Sequence, residues 1–174
     1  CRNPDLALAA GSYWTRKLQA RFFAGDYGGA LEASLRAQQL QPTSASFFEC
    51  AEYHFYSALS RAASCESAAT GQWQEHVRAL AAHHRQLEVW ATACPDNFEN
   101  RAALVGAEIA RIDGRAFDAM NLYEKAISSA QANGFVHNEA LAKELAARFY
   151  TACGFEQIAH LYLRNARDCY LRWG

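Results

Sequence analysis

Residues that favour extended chain are scarce. The 174 residues include four Val, four Ile and five Thr against a large excess of Ala. Pleated sheets draw on β-branched side chains and Ala is the best helix former, so this shortage excludes a sheet protein and predicts an all-α chain. Proline is also rare, at 3 residues, which excludes a Pro-rich disordered chain and leaves long helices uninterrupted. An excess of one charge is missing as well: 17 Lys plus Arg face 18 Asp plus Glu, a formal net charge of −1. A chain so balanced has no electrostatic footprint for a phosphate backbone or an anionic membrane, so neither nucleic acid nor membrane is expected as a partner.

No apolar run approaches the ~20 residues of a membrane span. The stretch Leu6 to Ala10 is too short and too poorly flanked to be a signal peptide. C-x-x-C spacing is absent too. The six cysteines (Cys1, Cys50, Cys65, Cys94, Cys153 and Cys169) are scattered, so reduced thiols in a cytoplasmic protein are the expectation. The chain begins at Cys1 and not at Met, which predicts a piece of a longer protein; a mature exported lipoprotein would also begin at Cys, and that alternative stays open. What the chain has is core material. It is 51% hydrophobic and 13% aromatic, enough for a fold of this size to bury roughly 70% of its unfolded surface without disulfide staples.

Gly25, Pro42, Gly71, Pro95, Gly114, Gly134, Gly154 and Gly174 punctuate helix-forming sequence and predict eight helices. Start signals agree: Asn3-Pro4-Asp5 offers a cap before a first-turn proline, Ser46-x-x-Glu49 and Asp96-x-x-Glu99 read as capping boxes, and Asp26 follows Gly25. Gly25, Gly71, Gly114 and Gly154 recur at intervals of 46, 43 and 40, each expected in the turn of a helical hairpin. The hairpins fall at about 4–42, 44–95, 96–134 and 135–174 of a single repeat domain. Three of the second helices share one frame: Ala30, Ser34, Ala37; Ala119, Tyr123, Ala126; Ala159, Leu163, Ala166. Small residues at this spacing let paired helices approach closely, with Tyr123 or Leu163 filling the gap one turn on. The Gly71 unit departs, with His76, Leu80 and His83.

Trp14, Gly25-Asp26-Tyr27, Ala30, Ala37 and Pro42 resemble the tetratricopeptide (TPR) pattern, whereas Lys17, Leu18 and Arg21 stand where it prefers Leu, Gly and Tyr. With intervals beyond the usual ~34 residues, the fold expected is an α-α superhelix of about four TPR-like hairpins with lengthened helices. A second resemblance is more specific. Asn97-Phe98-Glu99-Asn100-Arg101, Glu108 to Arg115, Ala119 to Ile127, Asn133 to Ala142, Glu144 to Tyr150 and Tyr170 to Gly174 are similar to a helical region of very large bacterial and fungal signalling proteins. It is strongest from Phe98 to Trp173, and Arg16 to Tyr27 with Phe47 to Tyr56 extend it. In that family a Ser/Thr-kinase-like domain and an AAA-type, STAND-like ATPase precede the repeats, and GAF and sensor histidine kinase domains follow. The resemblance implies a cytoplasmic, non-catalytic regulatory module that contacts neighbouring domains or a protein or peptide partner. A small-molecule effector sensor is the alternative. The chain itself has no P-loop, kinase Gly-rich loop, phosphoacceptor-histidine motif or DNA-binding signature, so this segment is not expected to be an enzyme and no cofactor is implied.

His76, His83 and His84 share one predicted helix, but their spacing is no known ligand set and no metal is expected. Cys94 and Cys153 fall at predicted helix C-termini, where the dipole disfavours a thiolate, and Cys50, Cys65 and Cys169 should pack as small hydrophobes. The repeat phase sets Gln19, Arg101, Glu108, Arg111, Glu144 and Arg148 on the first helices of the hairpins, the set that lines the concave groove of such arrays. There the arginines could clamp a partner carboxylate or phosphate, while Glu108 with Arg111 and Glu144 with Arg148 could equally form intrahelical ion pairs. One residue of each pair Phe22-Phe23, Phe55-Tyr56 and Phe149-Tyr150 is expected to face a groove or a neighbouring repeat. Tyr170, Leu171 and Trp173 would leave an apolar C-terminal end able to self-associate.

Overall fold

A computed structural model describes residues 4–40 and 47–174, among which there are eight helices and no strand. Cys1, Asn3, Pro42 and Ser46, and with them two of the predicted start signals, lie outside the described residues. The helices are α1 (Pro4–Phe23), α2 (Tyr27–Gln38), α3 (Phe47–Ser64), α4 (Thr70–Ala93), α5 (Pro95–Ile112), α6 (Ala116–Ala132), α7 (Val136–Ala152) and α8 (Glu156–Trp173). They form two compact units, Cys1–Leu87 and Glu88–Gly174, whose boundary falls within α4.

In the first unit α1 packs on α2 and both pack on α3. The chain reverses between α1 and α2 through Gly25 at φ 72°, a left-handed conformation in which a side chain would be strained. Asp26 N–H then donates to the Arg21 carbonyl and Gly25 N–H to that of Phe22, satisfying carbonyls left over at the end of α1. The Asp26 carboxylate caps α2 by accepting from Gly29 N–H at 2.9 Å, and it pairs with Arg21 at 2.7 Å. These contacts hold its carboxyl below the usual range, the backbone bond first and Arg21 second. The capping carboxylate occupies the space a Cβ on residue 29 would need, so this close cap depends on Gly29. Leu18, Phe22, Ala30, Ala33, Ala37, Phe55, Tyr56 and Leu59 make the core.

In the second unit α5 pairs with α6 and α7 with α8, while α7 also packs on α6 and α5. The reversals repeat the geometry at Gly25: glycine with positive φ at 114, 134 and 154, and the next N–H reaching back to the carbonyl of Ala110, Ala130 or Tyr150. Gly114→Ala is expected to cost about 1–2 kcal/mol, because the added Cβ meets nothing nearby and only the left-handed backbone is penalised. Chemical denaturation measures it, and Gly114→Asn should recover part of the loss.

The small-residue frame is in contact where the hairpins close. Ala30, Ser34 and Ala37, Ala119, Tyr123 and Ala126, and Ala159 and Ala166 are all buried. Leu163 departs from it at 44% exposed. Its counterpart Tyr123 lies on a helix that packs against both α5 and α7, and its ring meets Phe149 of α7 at 5.5 Å. Other local expectations also change. Gly71 sits in the first turn of α4 and the turn before it is residues 65–69, which is why its unit departs from the glycine pattern. Cys94 ends one helix and also stands at the N-cap of α5 with Pro95 next, so Asp96 lies in the first turn and no Asp96–Glu99 capping box forms. Of the aromatic pairs only Phe22-Phe23 splits between interior and surface. Phe55 with Tyr56, and Phe149 with Tyr150, are buried together, because α3 and α7 are covered on more than one side.

Candidate functional site

The polar residues assigned to a groove each have partners within their own unit. In the first unit Gln19 is half-buried; its amide nitrogen donates to the Tyr56 hydroxyl at 3.1 Å and its oxygen accepts from Arg16 at 3.2 Å. The remaining five lie on α5 and α7 of the second unit.

Residues 100–108 of α5 are buried on all sides, a run that includes Asn100, Arg101 and Glu108. Burying such groups is costly unless they are paired. Arg101, 2% exposed, donates to the Asn97 carbonyl at 2.9 Å and lies over the Phe135 ring at 5.0 Å. Glu108 takes Arg111 in a fork, Nε at 3.1 Å and NH2 at 2.7 Å, and its other oxygen accepts from the Tyr123 hydroxyl of α6. Burial, and then the Glu108 charge beside it, push the Tyr123 phenol far up, so Tyr123 remains a neutral donor. The i,i+3 pair thus closes the α5–α6 hairpin and does not stand as a free clamp.

On α7, Glu144 accepts from Arg148 at 2.6 Å and from the Tyr170 hydroxyl of α8 at 2.8 Å. The Arg148 side chain is 56% exposed, the most accessible guanidinium of the predicted set. Phe155, Ile158, Leu161, Leu171 and Trp173 bring exposed apolar surface to the same hairpin, although the Trp173 ring also stacks on His137 at 5.5 Å.

Pattern reading missed three further clusters of contacts. Asn138 of α7 donates to the Asn100 amide oxygen at 2.8 Å. Buried Glu139 accepts from Lys143 at i+4 and from Arg172 across the hairpin at 3.3 Å. Burial raises its carboxyl, but the Lys143 and Cys169 hydrogen bonds and the two cations outweigh that and leave it below the usual range. Cys169 does not pack as a plain hydrophobe: its sulfur lies 3.4 Å from Lys143 Nζ and 3.1 Å from Arg172 NH2. Third, His54 of α3 and His83 of α4 meet with their Nδ1 atoms 3.0 Å apart. The Glu139–Lys143 spacing was a signal available in the sequence; partners 26 to 38 residues apart on different helices left none.

Cys50, Cys65, Cys94, Cys153 and Cys169 are all free thiols. No group of three or more His, Cys, Asp or Glu among the described residues could hold a metal ion. No helix among them is long and apolar enough to cross a membrane. No family model matches the chain, and neither the curated proteins nor the solved structures contain a significant match to it.

Proposed function

We propose that this chain is a non-catalytic interaction and regulatory module, built of TPR-like hairpins, within a cytoplasmic multidomain sensor histidine kinase. The observation that supports the reading is the folding of the stretch with the most specific resemblance, Phe98 to Trp173, as the packed helices α5 to α8. Stacked hairpins with short-range contacts are elastic, and a partner that prefers one arrangement shifts the population by its differential affinity.

The α7–α8 hairpin is the surface we assign to the partner, because it carries both an accessible Arg148, ion-paired with Glu144, and exposed apolar side chains. A neighbouring domain, a protein or peptide partner, or a second copy of the chain would be met there. Arg148→Glu should weaken docking of the neighbouring domains roughly fivefold, about 1 kcal/mol, without loss of helicity. Titration calorimetry with those domains measures it, and unchanged affinity would defeat this assignment.

A second reading, a small-molecule effector sensor, is favoured by an open cavity of about 450 Å³ in the first unit. It runs from Gly25–Gly28 and Leu31 to Ser64, Ser67, Gln72 and His76, and its volume is in the range of ligand pockets. Calorimetry against a metabolite panel separates the two: saturable heat abolished by Gln72→Leu favours the sensor, and no heat favours the docking module.

A further inference from the structure

The His54–His83 contact lies between α3 and α4, and Arg61 extends the same junction by reaching Glu75 at 3.4 Å and His76 Nδ1 at 3.1 Å. The two imidazole centroids are 5.0 Å apart at an interplanar angle of 73°. The Tyr53 ring stands 5.0 Å from His54 and 5.5 Å from His83. Two Nδ1 atoms at 3.0 Å need one proton between them: one ring carries Nδ1–H and the other accepts it as the Nε2–H tautomer. A further proton places a cation in a buried junction, within the field of the Arg61 guanidinium. A second one sets two N–H groups head to head and breaks the contact.

We propose that the His54–His83 pair is a proton-operated latch, which holds α3 against α4 while the two rings share one proton and releases α4 on acidification.

The groups facing the pair favour its neutral form. From α3 come Tyr53, whose phenol is raised by burial, and Arg61, whose charge opposes a proton on His83. From α4 comes His76, lowered by burial and then by Arg61, with Glu75 acting on it the other way. Burial brings His54 down to about 4. Burial, then His54 and Arg61, bring His83 down to about 3. Both therefore lie below the ordinary 6.5 of a free histidine. Released α4 binds more protons than packed α4, so the latch is fully closed above about pH 6.5 and weakens as pH falls from there towards 4. The sign is opposite to that of a histidine ion-paired with a carboxylate.

Hydrogen exchange of the whole chain at about pH 7.5 and about pH 5, corrected for the chemical exchange rate, tests the latch. The α4 amides should lose protection roughly tenfold or more at the lower pH, while those of α7 hold theirs. The double variant His54→Gln, His83→Gln keeps a donor and an acceptor in place without a titrating group, and it should abolish the difference. Equal α4 protection at both pH values, or a difference that survives the double variant or is abolished by His76→Gln, would overturn the proposal. Should the double variant not fold, NMR titration of the wild-type imidazoles decides. Neutral His54 and His83 at about pH 5.5 support the latch, and ordinary titration near pH 6.5 refutes it.

Discussion

Glu108→Ala should lower the stability of the second unit by about 3 kcal/mol, since it strips a buried donor and a guanidinium of a shared acceptor. In the wild type Glu108 holds Arg111 through two nitrogens on one oxygen and the Tyr123 hydroxyl on the other. The alanine leaves a phenol without that acceptor in the interior of the α5–α6 hairpin, where Tyr123 is completely buried. Arg111 loses less, because its side chain retains 22% exposure and can turn to water. Tyr123→Phe removes only one arm and should cost about 1 kcal/mol. Urea unfolding followed by circular dichroism measures both. Equal and negligible losses would mean that Glu108 is solvated and that the α5–α6 hairpin is closed by apolar contacts alone.

Arg101→Glu is expected to be more severe, at about 4 kcal/mol or above, and to unfold α5. Arg101 is buried with its guanidinium over Phe135 and bonded to the Asn97 carbonyl. A carboxylate there faces the same carbonyl and the ring's negative face, and it is too short to reach water. Arg148→Glu, on an exposed side chain of the neighbouring helix, should stay within about 0.5 kcal/mol of wild type. The contrast matters because sequence phase sets both residues in one groove. A charge reversal at residue 101 reports folding, and only one at residue 148 reports binding. If Arg101→Glu unfolds at the wild-type urea concentration, α5 is accessible and the groove reading of Arg101 regains its force.

Helices were the legible part of this chain, for a physical reason. A poverty of β-branched residues, glycines at the turns after α1, α5, α6 and α7, and closely spaced Ala are local signals. Misreadings occurred where a local signal competes with another. At residues 94–99 the proline claims the first helical position and displaces the capping box, and at residue 71 a glycine follows Thr70 into a helix that has already begun. The candidate site was half legible. Spacing alone shows Glu108 beside Arg111 and Glu144 beside Arg148, and both pairs form. Whether such a pair faces water depends on helices 15 to 38 residues away, and that is where Tyr123, Tyr170 and the Asn100–Asn138 contact come from. Periodicity says which face of a helix is apolar. It does not say that α5 is covered on every side, so Arg101 and Glu108 read as surface residues when they are interior ones.

The regulatory reading is tested most directly by the coding DNA on both sides of this segment in the source genome. The account predicts an ATPase reading into Cys1 and GAF and histidine kinase motifs following Gly174. A signal peptide ending in a lipobox immediately before Cys1 would contradict it and make the chain an exported repeat protein.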